Sequence, residues 1–200
     1  EVRIIIGGVF PTYHWKEILS ENPQIDFIVC GEGEEVCKQL INAIDENRDF
    51  ENVKGIAFNK NGQPYFTGHA PLIQNLDDYR VAWELMKDYD YTYWGKRKAV
   101  VIQFSRGCPY PCTYCGQSLF WKTWRHRDPQ KLADEMEMLH KSLGVEVFNF
   151  ADENPSSNPK AWRAFLEALV AKNLKLILVG SIRADNIVRD KDFLHLYKQA

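Results

Sequence analysis

The sequence predicts an α/β protein whose two ends are built differently. The first part alternates short apolar strands with helices, which is typical of the last portion of a doubly wound sheet. From residue 99 onward a strand followed by a helix recurs three times, which is typical of the first half of a (β/α) barrel. We therefore expect three regions, residues 1–52, 53–98 and 99–200, the middle one holding a hairpin and a linker.

The first part begins with the apolar run 2–6, which ends at Gly7 and Gly8 as a buried parallel strand often ends in a turn. We expect a helix over 13–19 and a second strand over 26–30. A Gly-Glu-Gly-Glu segment then leads into a second helix with an apolar stripe at helical spacing. The apolar positions of this helix are Val36, Leu40, Ile41 and Ile44.

The middle region predicts a β-hairpin and then a linker. Residues 53–58 and 64–67 flank Asn59–Gln63, a segment rich in residues that accept a left-handed backbone. Residues 68–93 and the tryptophan that follows hold clustered aromatic side chains, which we expect to pack between the domains. These aromatic residues are Trp83, Tyr89, Tyr91, Tyr93 and Trp94.

Three strands are predicted in the last region, over 99–104, 145–150 and 174–179. Asp128 and Asn158, each followed by proline, are typical of the cap and first position of a helix. Asp190 is predicted to cap the last helix. The apolar stripes of the two long helices are Leu132, Met136, Leu139 and Leu143 in one, and Trp162, Phe165, Leu166, Leu169 and Val170 in the other.

Polar clusters follow all three of these strands. Functional residues of a (β/α) barrel lie after the carboxyl ends of its strands, so we expect the clusters to converge on one site. The clusters are the cysteine loop, then Asp152, Glu153 and Asn154, and then Ser181, Arg183 and Asp185.

The cysteine loop carries the most specific motif of the chain. Cys108, Cys112 and Cys115 have the spacing C-x3-C-x2-C, and three thiolates from one loop can hold a [4Fe-4S] cluster while one iron stays open. The alternative is a structural zinc site, which needs a fourth ligand and usually two C-x2-C pairs. Cys30 and Cys37 lie far upstream, and His126 is the one nearby imidazole.

The composition excludes several classes of protein. Hydrophobic residues make up 45% of the 200 residues, enough for a packed core. The net charge of -2 gives no basic field, so we expect no nucleic-acid partner.

No apolar run approaches the roughly 18 residues of a membrane span, and no signal peptide begins the chain, so we expect a cytoplasmic protein. The chain starts inside a strand without methionine, so we expect an internal fragment of a longer protein.

One short stretch, residues 121–127, mixes tryptophans with basic residues. Such mixing is found where proteins bind nucleic acid, but the stretch is brief and the chain as a whole is acidic. The open alternatives are a helix approach packed by its tryptophans and the recognition of substrate carboxylates by arginine. The residues concerned are Trp121, Lys122, Trp124, Arg125, His126 and Arg127.

The cysteine motif, with Tyr114 directly before its last cysteine, resembles the signature of the radical S-adenosylmethionine superfamily. Within that superfamily the chain is similar to the anaerobic magnesium-protoporphyrin IX monomethyl ester cyclases of bacteriochlorophyll synthesis. This narrower resemblance rests on the context of the cysteines and on four further segments. These are Gly116–Gln117, Phe120–Pro129, Ala151–Pro155 and Gly180–Asp185.

The resemblance implies three cofactors: a [4Fe-4S] cluster on the three cysteines, S-adenosylmethionine on its open iron, and cobalamin bound by the N-terminal domain. It implies that S-adenosylmethionine is contacted by residues after the barrel strands, and cobalamin by residues after the first strands. The former are Tyr114, Gln117, Glu153, Ser181 and Arg183, and the latter are Gly7, Gly8, Gly31, Glu32 and Gly33.

The implied reaction of the full-length enzyme is closure of the isocyclic ring of the porphyrin ester by an adenosyl radical, with oxygen from water. Flavodoxin or ferredoxin is the implied electron donor, and the fragment alone is expected to be inactive. Two alternatives stay open. One is a cobalamin-dependent radical methyltransferase acting on an unactivated carbon, and the other is a noncatalytic metal-binding module.

Overall fold

The computed structural model of the chain describes residues 2–86, 88–93 and 95–200. It divides into two compact units, Glu1–Gln74 and Asn75–Ala200. In the first unit the elements are β1 (Ile5–Gly7), α1 (Val9–Glu21), β2 (Phe27–Val29), α2 (Gly33–Asp45), β3 (Ile56–Lys60) and β4 (Gln63–Phe66). A short 3-10 helix at Phe50–Asn52 precedes β3.

The second unit contains more elements. Its strands are β5 (Thr92–Tyr93), β6 (Arg97–Ile102), β7 (Ser105–Arg106), β8 (Arg125–His126), β9 (Val147–Phe150) and β10 (Ile177–Val179). Its α-helices are α3 (Gln117–Trp121), α4 (Pro129–Leu143), α5 (Pro159–Ala171), α6 (Ala184–Arg189) and α7 (Leu194–Gln199). Four 3-10 helices lie at Leu76–Asp78, Trp83–Met86, Pro155–Ser157 and Lys191–Phe193.

The first unit is built on one four-stranded sheet in the order β1-β2-β3-β4. β1 and β2 are parallel, as the predicted strand-helix-strand pattern requires, and the β3-β4 hairpin adds two antiparallel strands beside β2. Ile28 pairs with Ala57, so the hairpin is part of this sheet and lies in the first unit rather than in a linker. The pairing with β3 satisfies the backbone hydrogen-bonding groups of β2 on the side away from β1. Local sequence patterns do not reveal this pairing.

The second unit is built on the sheet β10-β9-β6-β5, in which β6, β9 and β10 are parallel. Each of these three strands is followed by a helix, as in the first half of a (β/α) barrel. The helices α4 and α5 pack on the sheet through a buried apolar core. Phe104 stands at its centre and stacks on Phe165 with ring centroids 5.3 Å apart.

Two of the three predicted helix caps are confirmed. The Asp128 carboxylate accepts hydrogen bonds from the backbone of Gln130 and Lys131, and Asn158 caps α5 in the same way. The prediction for Asp190 is wrong, because its carboxylate is buried and accepts from Arg189 and from the Tyr197 hydroxyl. A buried carboxylate gains more from such charged and hydroxyl donors than from capping a short helix.

The aromatic cluster predicted between the domains is not formed as expected. Trp83 is buried in the core of the second unit, where its indole N–H donates to Glu135. The tyrosines at 89, 91 and 93 are exposed, so the prediction is wrong for them, and Trp94 lies outside the described residues. Among residues 2–86, 88–93 and 95–200, no helix has the length and apolar character that crossing a bilayer would require.

Candidate active site

The ends of the three parallel strands of the second unit lie side by side. β9 is the middle strand, with Asn149 paired to Val101 of β6 on one side and to Val179 of β10 on the other. The polar segments that follow these strands therefore begin at one edge of the sheet, as the sequence predicts for a (β/α) barrel. Hydrogen bonds between the segments show that they meet there.

The cysteine loop lies between β7 and β8, which form a small antiparallel ribbon in which Ser105 pairs with His126. Gly107 makes the turn into the loop with a φ of 89°, and a Cβ there would lie 2.5 Å from the carbonyl oxygen of Thr123. Only glycine fits this place without moving the backbone. The loop then folds back on itself, with the Cys115 N–H donating to the Cys112 carbonyl at 3.0 Å.

The three cysteines of the motif are free thiols. Cys108, Cys112 and Cys115 are unpaired and partly exposed on one loop. Across the described part of the chain, no three His, Cys, Asp or Glu side chains are gathered as ligands of one metal ion. A tetrahedral zinc site needs four ligands on one ion, whereas the thiolates of a [4Fe-4S] cluster each bind a different iron.

The other two cysteines are not candidates for this role. Cys30 is buried in the first unit, and burial raises the pKa of its thiol to about 12. Burial and, to a smaller extent, the Glu34 carboxylate raise the pKa of Cys37 as well. Thiolates bind metals, so both groups are poorly prepared for ligation at neutral pH.

Glu153 joins the end of β9 to the cysteine loop. Its Oε1 accepts a hydrogen bond from the Trp121 indole N–H at 2.8 Å, and its Oε2 accepts one from the Gly107 backbone N–H at 3.2 Å. The carboxylate therefore holds both ends of the segment that contains the cysteines. The sequence predicted Glu153 at this rim, although its bonds to Trp121 and Gly107 span 32 and 46 residues and have no sequence signal.

Asp152 also follows β9, and it links this strand to the segment that leads into the cysteine loop. Its side chain is 6% exposed and accepts hydrogen bonds from the backbone N–H of Phe104 at 3.0 Å, from the backbone N–H of Ser105 and from the Ser105 hydroxyl. Burial raises the pKa of Asp152 to about 6, against the opposing effect of these donors. The residue is therefore a structural link between β9 and the start of the loop.

A buried polar network connects the loop to the ends of β9 and β10. The Tyr110 hydroxyl donates to Asn186 Oδ1 at 2.9 Å, and Asn186 Nδ2 lies 3.2 Å from Asn154 Oδ1 and 3.0 Å from Ser156 Oγ. Asn154, Ser156 and Asn186 are buried. We did not predict Tyr110 or Asn186 from the sequence; the position of Tyr110 between two of the cysteines is the one signal that could have suggested it.

Arg183 lies directly over the cysteine loop. Its guanidinium carbon is 3.8 Å from the centroid of the Tyr110 ring, and its Nη1 is 3.9 Å from the sulfur of Cys112. Nε and Nη2 donate to the two carboxylate oxygens of Asp185 at 2.9 and 3.1 Å. This fork-to-fork pairing fixes the plane of the guanidinium. Arg183 is thus brought to the cysteines, as predicted, and contacts a thiol directly.

The remaining residues predicted for S-adenosylmethionine differ in their surroundings. Tyr114 is 90% exposed beside the last cysteine. Gln117 begins α3, and its Oε1 is buried with no hydrogen-bond partner in the described structure. Such an orphaned acceptor is costly in a folded protein, so a donor from a ligand would satisfy it. Ser181 is exposed after β10 and its position at the rim agrees with the prediction.

The basic stretch before α4 has structural partners. The Arg127 side chain is largely buried and pairs with Asp77 at 3.0 Å and with Glu135. Trp124 packs against the core and donates to the Asn154 carbonyl at 3.3 Å. These contacts favour the interpretation of the stretch as a packed approach to the helix.

The first unit has its own strand-end cluster. Gly8 and Gly31, at the ends of the adjacent parallel strands β1 and β2, have φ of 106° and 90°. Thr12 joins them, because its hydroxyl donates to the Gly8 carbonyl at 2.6 Å and accepts from the Gly31 N–H at 2.9 Å. Glu32 is buried and accepts from the Ile73 N–H at 2.9 Å. The predicted cobalamin residues therefore share one edge of the sheet.

Comparison with known proteins places these features in context. Residues 102–197 match the Radical SAM superfamily. The chain is 55% identical to the anaerobic magnesium-protoporphyrin IX monomethyl ester cyclase of Synechocystis sp. over 98% of its length, and 36% identical to that of Rubrivivax gelatinosus over 100%. It spans 40% and 37% of these two relatives.

The chain resembles a solved structure over almost its whole length. The cobalamin-dependent S-adenosylmethionine radical enzyme OxsB, with aqua-cobalamin and S-adenosylmethionine bound, superposes with a TM-score of 0.77. The alignment covers 98% of this chain and 29% of OxsB at 19% sequence identity. The likeness confirms the predicted fold, the last portion of a doubly wound sheet followed by half of a (β/α) barrel.

Proposed function

We propose that this chain, which carries a domain of the radical S-adenosylmethionine superfamily over residues 102–197, belongs to an oxidative cyclase that forms the isocyclic ring of magnesium-protoporphyrin IX monomethyl ester. The observation that carries the proposal is the 55% identity to the Synechocystis cyclase along almost the entire chain. The free-thiol loop at the rim of the half-barrel supplies the matching chemistry. The proposal concerns the full-length protein, of which this chain covers a part.

In this proposal Cys108, Cys112 and Cys115 hold a [4Fe-4S] cluster and leave its fourth iron open to S-adenosylmethionine. When bound, the cluster and S-adenosylmethionine supply a 5'-deoxyadenosyl radical, and the protein orients it. Contacts to S-adenosylmethionine are assigned to the five rim residues of the sequence analysis. They are Tyr114, Gln117, Glu153, Ser181 and Arg183.

The geometry supports distinct tasks for these residues. Tyr114 has an exposed ring that is available to the adenine, and Gln117 has a buried amide oxygen that a donor of the cofactor would satisfy. Glu153 orients the loop through Gly107 and Trp121, and its negative charge suits the cofactor's ammonium group. One carboxylate would thus both orient the loop and contact the cofactor. Its hydrogen bonds to Gly107 and Trp121 fix its position for that contact.

We assign cobalamin to the strand-end cluster of the first unit. Gly7, Gly8 and Gly31 place backbone without side chains at the edge of the sheet, and Glu32 and Gly33 continue that edge into α2. Ligands of open α/β sheets bind outside the carboxyl ends of the strands, where this edge lies. OxsB, whose fold the chain shares, has cobalamin bound.

Further parts of the proposal follow from the reaction. The substrate is a porphyrin, and the oxygen of the new ring is drawn from water. A low-potential donor such as flavodoxin or ferredoxin reduces the cluster. An oxygen-labile cluster and reduced thiols suit the cytoplasm.

The test uses full-length protein reconstituted anaerobically with iron, sulfide and cobalamin. With reductant and S-adenosylmethionine, we expect the porphyrin ester to be converted to the cyclised product with formation of 5'-deoxyadenosine. Cys112→Ala should abolish conversion, whereas Cys37→Ala, which changes a thiol outside the loop, should retain it. Cleavage of S-adenosylmethionine with the ester unchanged would refute the cyclase, and S-adenosylhomocysteine among the products would indicate a methyltransferase.

A further inference from the structure

The guanidinium of Arg183 has three contacts over the cysteine loop. Asp185 binds it edge-on with both oxygens, and the Tyr110 ring lies beneath it at 3.8 Å. The remaining nitrogen, Nη1, is directed at the Cys112 sulfur at 3.9 Å, within hydrogen-bonding range for a sulfur acceptor. Two sides of the guanidinium are thus used to hold it and the third is directed at a thiol.

The aromatic ring beneath Arg183 is itself fixed. The Tyr110 hydroxyl donates to Asn186 at 2.9 Å, and Asn186 is buried with its amide bonded to the segment after β9. Because Tyr110 is part of the loop and Asn186 is part of α6, movement of the ring would break a partly buried hydrogen bond between the two segments. Arg183 therefore rests on a rigid platform, although its own side chain is partly exposed.

We propose that Arg183 raises the reduction potential of the cluster held by Cys108, Cys112 and Cys115 by donating a hydrogen bond and presenting positive charge to the Cys112 thiolate. Reduction adds one electron to a cluster whose thiolates are already anionic. A cation and an N–H donor at a ligand sulfur stabilise that reduced state more than the oxidised one. The role rests on the proposed cluster and is separate from any contact of Arg183 with S-adenosylmethionine.

Arg183 is expected to raise the reduction potential even though Asp185 pairs with it. Asp185 offsets part of the charge of Arg183, and solvent screens the rest, so the shift is modest. Pairing with Asp185 does not remove the hydrogen bond from Nη1 to the Cys112 sulfur, because a guanidinium can donate to a carboxylate and to another acceptor at the same time. Lysine keeps the positive charge but cannot make both contacts in one plane.

The experiment measures the midpoint potential of the cluster by electron paramagnetic resonance in reconstituted full-length protein, without S-adenosylmethionine. Arg183→Gln removes the charge, and Arg183→Lys keeps it. Arg163→Gln is the matched control, because Arg163 also pairs with a carboxylate, Glu167, and lies over an aromatic ring, Phe193, but on α5 away from the cysteines.

We expect R183Q to favour the oxidised cluster at least about threefold, a shift of about 28 mV to more negative potential for one electron. R183K should lie between R183Q and wild type, and R163Q should match wild type. Equal potentials for R183Q, R183K and wild type overturn the inference while leaving the proposed function intact. A wild-type protein that assembles no cluster overturns both. If R183Q assembles no cluster, R183K provides the test. A reduction potential of R183K equal to that of wild type would then overturn the inference.

Discussion

Trp121 and Glu153 are joined by a hydrogen bond of 2.8 Å between the indole N–H and Oε1, across the cysteine loop. The second oxygen of Glu153 accepts from the Gly107 N–H, which lies at the start of the loop. One carboxylate from the end of β9 thus spans the segment that carries all three cysteines. The geometry of the loop depends on an acidic side chain that is distant in sequence.

This relationship predicts the effect of Glu153→Ala. Removing the carboxylate leaves the buried Gly107 N–H without an acceptor, so we expect the free energy of unfolding to fall by about 1–3 kcal/mol. Iron incorporated per chain should fall as well. Urea unfolding and iron analysis measure the two effects. Glu167→Ala, at an exposed glutamate paired with Arg163, should change stability by less than about 0.5 kcal/mol; equal losses in both variants would contradict the role of Glu153.

Gly107 is predicted to be intolerant of any side chain. An alanine Cβ would lie 2.5 Å from the Thr123 carbonyl oxygen, and the φ of 89° adds a penalty of about 1–2 kcal/mol. We therefore expect Gly107→Ala to lower the free energy of unfolding by more than about 2 kcal/mol and to abolish cluster assembly.

Gly144 provides the comparison for this prediction. It caps α4 with a φ of 69°, and a Cβ there would have nothing within 4 Å. Gly144→Ala should therefore cost only the conformational penalty of about 1 kcal/mol and leave iron content unchanged. Chemical unfolding and absorbance of the reconstituted proteins measure both variants. A Gly107 variant as stable as the Gly144 variant would show that the loop can rearrange.

Asp152 is predicted to make stability depend on pH. Burial raises its pKa to about 6 in the folded protein, whereas an unfolded chain has a carboxyl pKa of about 3.9. The folded state therefore binds the proton more tightly, and the stability due to Asp152 is complete below pH ~4 and is lost as pH rises through ~6. The loss can reach about 3 kcal/mol, since one pKa unit corresponds to about 1.4 kcal/mol.

The measurement compares urea unfolding of wild type and Asp152→Asn from pH 4.5 to 7.5. The wild-type stability relative to the variant should fall from pH 4.5 to about pH 6 and then become constant. Asp45→Asn changes an exposed carboxylate of the first unit, and its stability should follow that of wild type at every pH. A constant difference between wild type and Asp152→Asn would show that the carboxyl does not titrate in this range.

Local patterns predicted the parts of the fold that short-range physics controls. Asp128 followed by Pro129 located the start of α4, because capping and the fixed φ of proline act within one turn. The strand ends predicted at residues 150 and 179 match β9 and β10, whereas the strand predicted over 99–104 ends at Ile102. Parallel pairing then brings the polar segments after these strands together. The cysteines and their rim neighbours were therefore accessible from the sequence.

Contacts between segments that are distant in sequence could not be predicted. Tyr110 and Asn186 are 76 residues apart, and nothing in the sequence near either residue indicates that they bond. The pairing of β3 with β2 and the exposure of the tyrosines after Trp83 likewise depend on how segments pack, which composition does not determine. The positioning of the candidate site thus rests on long-range hydrogen bonds, whereas its three cysteines form a local motif.

Tyr114 is predicted to bind cofactor without supporting the fold. Its side chain is 90% exposed, so Tyr114→Ala should change the free energy of unfolding by less than about 0.5 kcal/mol. Loss of a ring that stacks on adenine should weaken S-adenosylmethionine binding by about tenfold, the size found for single aromatic stacking contacts. Titrating the change in the cluster's electron paramagnetic resonance signal with S-adenosylmethionine measures this affinity. Leu119→Ala truncates another exposed side chain, on α3, and should leave the affinity unchanged. A Tyr114 variant that binds like wild type would remove the residue from the cofactor site.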